Sequence, residues 1–251
     1  PMDSRDAIFL KDQEINNLLR SLRSNLVTHL TMNKNADVAA CLVLMSIAKD
    51  AERIGDYCKN LFEIAVHDHK REHPTQYANR LDALPSQVED VFNLVGQAFP
   101  ESSTKLAKAA IRAADAIRNE CDSIENDLLG EQVRIETHDA VACSLKARYY
   151  KRLASHLANI ATAIFGRIED LDFRKAVLGK ARKAMPKGPD RDRAVLVANA
   201  VTFDLIGINK AIRNIGSEDD AEARRWFDTL VDDIRDYLTL EPKGPRPLPE
   251  G

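Results

Sequence analysis

Apolar residues recur three and four positions apart through most of the chain, and the alternating runs typical of strands are few. This spacing matches one face of an α-helix. The pattern therefore predicts an all-α protein in which long amphipathic helices pack on one another. The first helix is predicted over about 4–32 and the second over 36–70, and the turn between them lies at 33–35.

Prolines and capping residues divide the next part of the chain into three more helices. A third helix follows Pro74 and ends before Pro100, and Pro85 marks either a kink or its true first turn. The side chains of Ser102 and Ser103 can cap a fourth helix, which ends near Gly130. A fifth helix is predicted from Thr137 to about residue 168.

Beyond residue 170 the chain changes in character. A short basic stretch at 174–187 is followed by a Pro and Gly break, and two further helices are predicted at about 191–214 and 218–240. The tail at 241–251 contains four prolines and is expected to be disordered.

Charge, length and cysteine content exclude several classes of protein. The chain has 251 residues with 36 Lys and Arg against 39 Asp and Glu. It therefore lacks the basic field that non-specific nucleic-acid binding needs, so no nucleic-acid partner is expected. The longest apolar run, 38–48, is too short for the roughly 20 residues that span a bilayer. Four widely spaced cysteines without a CxxC pair indicate reduced, buried thiols and a cytoplasmic location.

Two segments of the chain resemble each other. Residues 48–61 align without a gap to 147–160, and the pairs Arg53/Arg152, Gly55/Ala154 and Asn60/Asn159 are alike. This register suggests a duplicated helical unit.

Glu52 and Asp56 lie four positions apart and share one helix face, where like charges repel unless a cation lies between them. Asp12 and Asn16 have the same spacing on the first helix. If the two faces meet, three carboxylates and an amide oxygen converge, a donor set that suits Mg, Mn or Fe. The alternative is that nearby lysines, Lys49 and Lys59, neutralise the carboxylates on a solvated face.

The segment Glu52-Arg53-Ile54-Gly55-Asp56 resembles the signature of the PhoU family of bacterial phosphate-uptake regulators. Asp12-Gln13-Glu14-Ile15-Asn16 is similar to the other half of the family pattern, with Asn16 where an Asp is usual. The resemblance implies a pair of antiparallel three-helix bundles, and this chain departs from the family in having extra C-terminal helices. It also implies a metal, Fe, Mn or Mg, although the site could lack one. The implied ligands are Asp12, Asn16, Glu52 and Asp56.

The second repeat departs from this pattern, because Lys151 stands where a Glu is expected and Ser155 where an Asp is expected. Its partner pair on the fourth helix is either Asp115 with Asn119 or Cys121 with Glu125. We expect Lys151 to form an ion pair with an acidic residue of the fourth helix, in place of a metal. Only the first bundle would then hold an ion.

The resemblance implies four units. Residues 1–73 form a first bundle that lacks its first helix, and 74–171 form a degenerate second bundle. Residues 172–240 are C-terminal helices, and 241–251 are the tail. A C-terminal helix, or else another subunit, would complete the first bundle, since a two-helix hairpin leaves apolar faces uncovered.

Three histidines and a basic stretch invite a functional interpretation. His67, His69 and His73 are expected on a solvated helix end, although His69 and His73 have a spacing that could chelate a metal. His156 is expected to be partly buried and structural. The basic stretch that begins at Arg174 is expected to be solvated, and the alternative is that it meets an acidic partner or phosphate.

The implied function is a non-enzymatic, homo-oligomeric regulator of phosphate transport and phosphate-responsive signalling. Its implied partners are a Pst-type transporter ATPase and a PhoR-type sensor kinase. Contact with the membrane is expected only indirectly, through these partners. A ferritin-like di-metal oxidase is disfavoured because it needs Glu-x-x-His on two helices, and the chain has no such pair. A metal-free scaffold, or a PhoU-like domain of a larger phosphate cotransporter, is the remaining alternative.

Overall fold

The computed structural model describes residues 4–68, 75–130, 135–166, 168–174 and 178. Five helices are present in this part of the chain: α1 at Ser4–Met32, α2 at Val38–Asp68, α3 at Thr75–Glu101, α4 at Thr104–Leu129 and α5 at Thr137–Thr162. Two 3-10 turns follow, at Ala163–Phe165 and Ile168–Asp170. The described residues contain no strand, so the all-α prediction is confirmed. In the same residues, no helix combines the length and the hydropathy that a bilayer crossing requires.

Local chemistry explains the ends of the helices. Ser103 caps α4, because its hydroxyl accepts a hydrogen bond from the backbone N–H of Leu106 at 3.3 Å. Pro85 lies inside α3, so it is not the first turn of that helix. The fifth helix is shorter than predicted: it ends at Thr162, and the chain then tightens into a 3-10 turn closed by Gly166 in the left-handed conformation, with φ 65°.

The main hydrophobic core is formed by α2, α3, α4 and α5. Helices α3, α4 and α5 all pack on one another, and α5 also packs on α2. Side chains from all four helices are fully enclosed there, among them Ile54, Phe92, Ile111 and Leu157. Close packing of this kind provides most of the favourable free energy of folding.

Helix α1 lies at one side of this core and packs mainly on α2. A smaller apolar cluster at that contact contains Leu26, Cys41 and Leu44. The predicted C-terminal helices and the tail lie outside the described residues, so the completion of the first bundle and the unit boundaries stay predictions.

All four cysteines are free and buried. Burial raises the pKa of Cys58 and of Cys121 to about 12 and that of Cys143 to about 11. These thiols are protonated at neutral pH and are therefore poor nucleophiles.

Candidate functional site

The first carboxylate cluster lies where α1 meets α2. Gly55 lets the helices approach closely, because a Cβ at that position would lie 3.0 Å from Cδ1 of Ile15 on α1. This contact brings Asp12 of α1 next to α2. The two helices therefore meet at Asp12 and Ile15, which is the contact that the carboxylate hypothesis requires.

A lysine neutralises the carboxylates that meet there. The Nζ of Lys59 lies 2.9 Å from Oδ2 of Asp12 and 3.6 Å from Oδ1 of Asp56. Burial lowers the pKa of Lys59, but its hydrogen bond to Asp12 and the charges of both aspartates outweigh that effect and raise it. Lys59 is therefore a permanent cation between the two helices.

The other predicted ligands also have partners within the protein: Arg53 contacts Glu52 and Asp56, and the Asn16 amide bonds to the backbone. Arg53 donates to Asp56 at 3.1 Å and lies 3.6 Å from Glu52. The Asn16 amide donates to the backbone carbonyl of Asp12 at 3.0 Å. Asp12 and Asp56 thus meet at Lys59, whereas Asn16 bonds the backbone of its own helix and Glu52 lies against Arg53. Among the described residues, the three predicted acidic ligands are not a group whose oxygens lie within 4.8 Å of one another.

This arrangement does not fit a metal ion. The ammonium group of Lys59 lies against the carboxylates of Asp12 and Asp56, and it would repel a dication placed among the same oxygens. A metal at Asp12, Asn16, Glu52 and Asp56 stays a prediction, and it requires Lys59 to move away.

We expect the variant Lys59→Met to bind Mn²⁺ at least tenfold more tightly than the unmodified protein, because it removes the competing cation but keeps the carboxylates. Titration calorimetry with MnCl₂ measures this difference. Lys49→Met is the matched control, since Lys49 is an exposed lysine of the same helix. Stoichiometric metal in the unmodified protein, lost in a Glu52→Ala/Asp56→Ala variant, would contradict this expectation and support the predicted metal site.

A second cluster consists of Lys151 with Asp122 and Glu125, and it confirms the predicted ion pair between Lys151 and an acidic residue of α4. Its Nζ lies 3.0 Å from Oε2 of Glu125 and also contacts Asp122, both on α4. The hydrogen bond to Asp122 is the largest effect that raises the pKa of Lys151. Of the residues proposed as its partners, Glu125 is the one it contacts, whereas Asp115 pairs with Arg118 instead.

A polar network joins the two repeats at the contact of α2 with α5. Nδ1 of His156 lies 2.6 Å from Oδ1 of Asp50, and the Asn159 amide donates to the same oxygen at 3.3 Å. His156 is therefore partly buried and structural, as expected. Asp50 is not among the residues predicted from sequence, because an acidic residue next to a lysine, here Lys49, is typical of an exposed helix face.

The contacts around this network follow the repeat. In the ungapped alignment Asp50 corresponds to Tyr149 and Tyr57 to His156. The Asp50–His156 contact is thus matched by the Tyr57–Tyr149 contact, whose ring centroids are 5.9 Å apart. Tyr57 and His156 stack on each other at 5.6 Å. The contacts between α2 and α5 are therefore reciprocal under the repeat alignment.

A cavity of about 500 Å³ lies between the end of α2 and the start of α5. At the α2 end of the cavity, the buried carboxylate of Asp68 accepts a hydrogen bond from Nζ of Lys146 at 2.5 Å. Its other oxygen lies 3.8 Å from Nε2 of His138. Asp139 completes a group whose ligand atoms lie within 4.8 Å of one another. His67 lines this cavity, whereas His69 and His73 lie outside the described residues. With a lysine bound to its central carboxylate, the group is an ion-pair network.

Comparison with known proteins adds one match. The family model described as PhoU domain matches residues 3–65 and 83–164, which include both carboxylate clusters. No curated protein and no solved structure matches the chain.

Proposed function

Since the chain belongs to the PhoU domain family, we propose that it regulates phosphate transport and phosphate-responsive signalling through protein-protein contacts. The observation that carries this proposal is the family match over both helical repeats. The family is regulatory and non-catalytic, and we propose the same of this chain.

We propose a Pst-type transporter ATPase and a PhoR-type sensor kinase as its partners. Both act at the cytoplasmic face of a membrane, so the protein would work in the cytoplasm and meet the membrane only through them. Homo-oligomer formation is part of the proposal, because the hairpin of α1 and α2 has apolar side chains, such as Val27 and Leu42, that are exposed to solvent.

Exposed apolar residues at the turn between α1 and α2 support contacts of this kind. Met32 is 81% exposed and Val38 is 55% exposed, and they lie at adjoining helix ends. Neighbouring exposed apolar side chains are typical of interaction surfaces.

Pull-down of the isolated ATPase subunit and of the kinase's cytoplasmic domain, at low and high phosphate, tests the function. We expect binding of at least one partner at one phosphate level, and at least a tenfold loss in a Met32→Glu/Val38→Glu variant. Leu129→Glu is the control, because Leu129 is 82% exposed on α4. Absence of binding at both phosphate levels contradicts the proposal.

One observation favours the alternative of a metal-free PhoU-like domain in a larger phosphate cotransporter. Lysines neutralise acidic side chains in both clusters, Lys59 in the first and Lys151 in the second. A helical domain stabilised in this way needs no metal to hold its acidic helix faces together.

A further inference from the structure

Two arginines from distant parts of the chain meet on one carboxylate. Arg118 lies on α4, and Arg174 follows the 3-10 turn at Ile168–Asp170. Nη1 of Arg118 donates to Oδ1 of Asp115 at 2.7 Å, and Nη1 of Arg174 lies 3.8 Å from the same oxygen. The guanidinium side chains are 28% and 20% exposed. The pair therefore lies mostly buried, with an opening to solvent.

Two N–H groups of this arginine pair have no hydrogen-bond acceptor among the described residues. Nε of Arg118 and Nη1 of Arg174 are buried, and neither donates a hydrogen bond to any residue that the structure describes. A buried donor without an acceptor destabilises the folded state, because it has lost its hydrogen bonds to water. The two side chains thus present N–H groups that an additional acceptor would satisfy.

The charges in the group favour an anion as that acceptor. The two guanidinium groups and Asp115 together carry a net positive charge. Asp172 is a second carboxylate that acts on Arg174, and burial raises its pKa. Burial, and then the like charge of Arg118, lower the pKa of Arg174. An additional anion between the two guanidinium groups would offset their mutual repulsion.

The turn that carries Arg174 is fixed in place by packing and by hydrogen bonds. The backbone N–H of Asp172 donates to Oγ1 of Thr162 at 3.1 Å, and Leu171 packs against the main core. Arg174 is therefore held next to α4 before any ligand arrives, which lowers the entropic cost of binding.

We propose that Arg118 and Arg174 bind a phosphoryl oxyanion, with Asp115 as the internal anion that the ligand displaces. Arginine suits such a ligand because its planar fork can donate two parallel hydrogen bonds to phosphate oxygens. The source is either inorganic phosphate or a phosphoryl group on a partner. The choice of phosphate among oxyanions rests on the proposed function, whereas the presence of an anion site does not.

Titration calorimetry with inorganic phosphate, at constant ionic strength and with chloride as the reference anion, tests the site. We expect Arg118→Gln and Arg174→Gln each to weaken phosphate binding at least tenfold. Asp115→Asn removes the competing anion and is expected to tighten binding at least threefold. Arg112→Gln is the matched control, because Arg112 is an exposed arginine of the same helix, and it should leave the affinity unchanged.

A phosphoserine peptide forms the second arm of the experiment. Suppose that the peptide binds and inorganic phosphate does not. If the variants then rank in the same order of affinity as expected for phosphate, the result supports the site and assigns it to a phosphorylated partner. Equal affinity in every variant, or no binding of either probe to the unmodified and Asp115→Asn proteins, overturns the proposal. The partner pull-down is a separate readout, so its success alongside a failed titration would reject only the anion site.

Discussion

Replacing Phe92 by alanine is expected to lower the free energy of unfolding by about 3–5 kcal/mol. Phe92 is 1% exposed and belongs to the main core formed by α2 to α5. The substitution removes a large apolar side chain from water-excluded packing, and the surrounding helices cannot fully collapse into the resulting cavity. Urea denaturation followed by circular dichroism at 222 nm measures the change.

Phe173→Ala is the matched control for this substitution. Phe173 is 66% exposed, so the same chemical change should alter the free energy of unfolding by no more than about 0.5 kcal/mol. Equal effects for the two variants would show that α3, where Phe92 lies, does not pack in the core as described.

Replacing Asp50 by alanine is expected to cost about 2–3 kcal/mol of stability. Asp50 accepts hydrogen bonds from the side chains of His156 and Asn159 across the contact between the two repeats. The alanine variant leaves both donors without that acceptor in a partly buried site. Asp90→Ala, an exposed aspartate of α3, is the control.

A double-mutant cycle separates the interaction from the general cost of each substitution. We expect Asp50→Ala and His156→Ala to be non-additive by about 1–3 kcal/mol, because the residues form one hydrogen-bonded pair. Additive effects in the same denaturation experiment would contradict the proposed coupling of the repeats through this pair.

The helix ends predicted from sequence were most accurate where residues at that end, such as a capping serine, determine where the helix begins or ends. Helix α1 has the predicted bounds, and Ser103 caps α4 as one of the two residues proposed. The fifth helix was predicted too long, because periodic apolar residues continue past Thr162 whereas the left-handed Gly166 closes a tighter turn. Apolar spacing alone does not distinguish an α-helix from a 3-10 turn at its end.

The candidate site was only partly predictable. The acidic positions and the close approach at Gly55 follow from spacing within one helix and from the cost of a helical glycine. Spacing within one helix identifies Lys59 as a cation beside Asp56, but it does not identify the carboxylate that this lysine reaches on another helix. Lys59 was considered as a partner of Asp56 on its own helix, yet its shorter contact is with Asp12 on α1.

The sequence by itself determined the helical class, the main helices, the internal repeat and the family. These properties depend on periodicity and on short motifs, which are local in the chain. Only the tertiary structure decided which charges meet, as in the pairs Lys151–Glu125, Asp50–His156 and Arg174–Asp115. Each pair joins different segments of the chain, so its existence depends on the packing and rotation of whole helices, and a charged residue on one helix face has many possible partners until that packing is known.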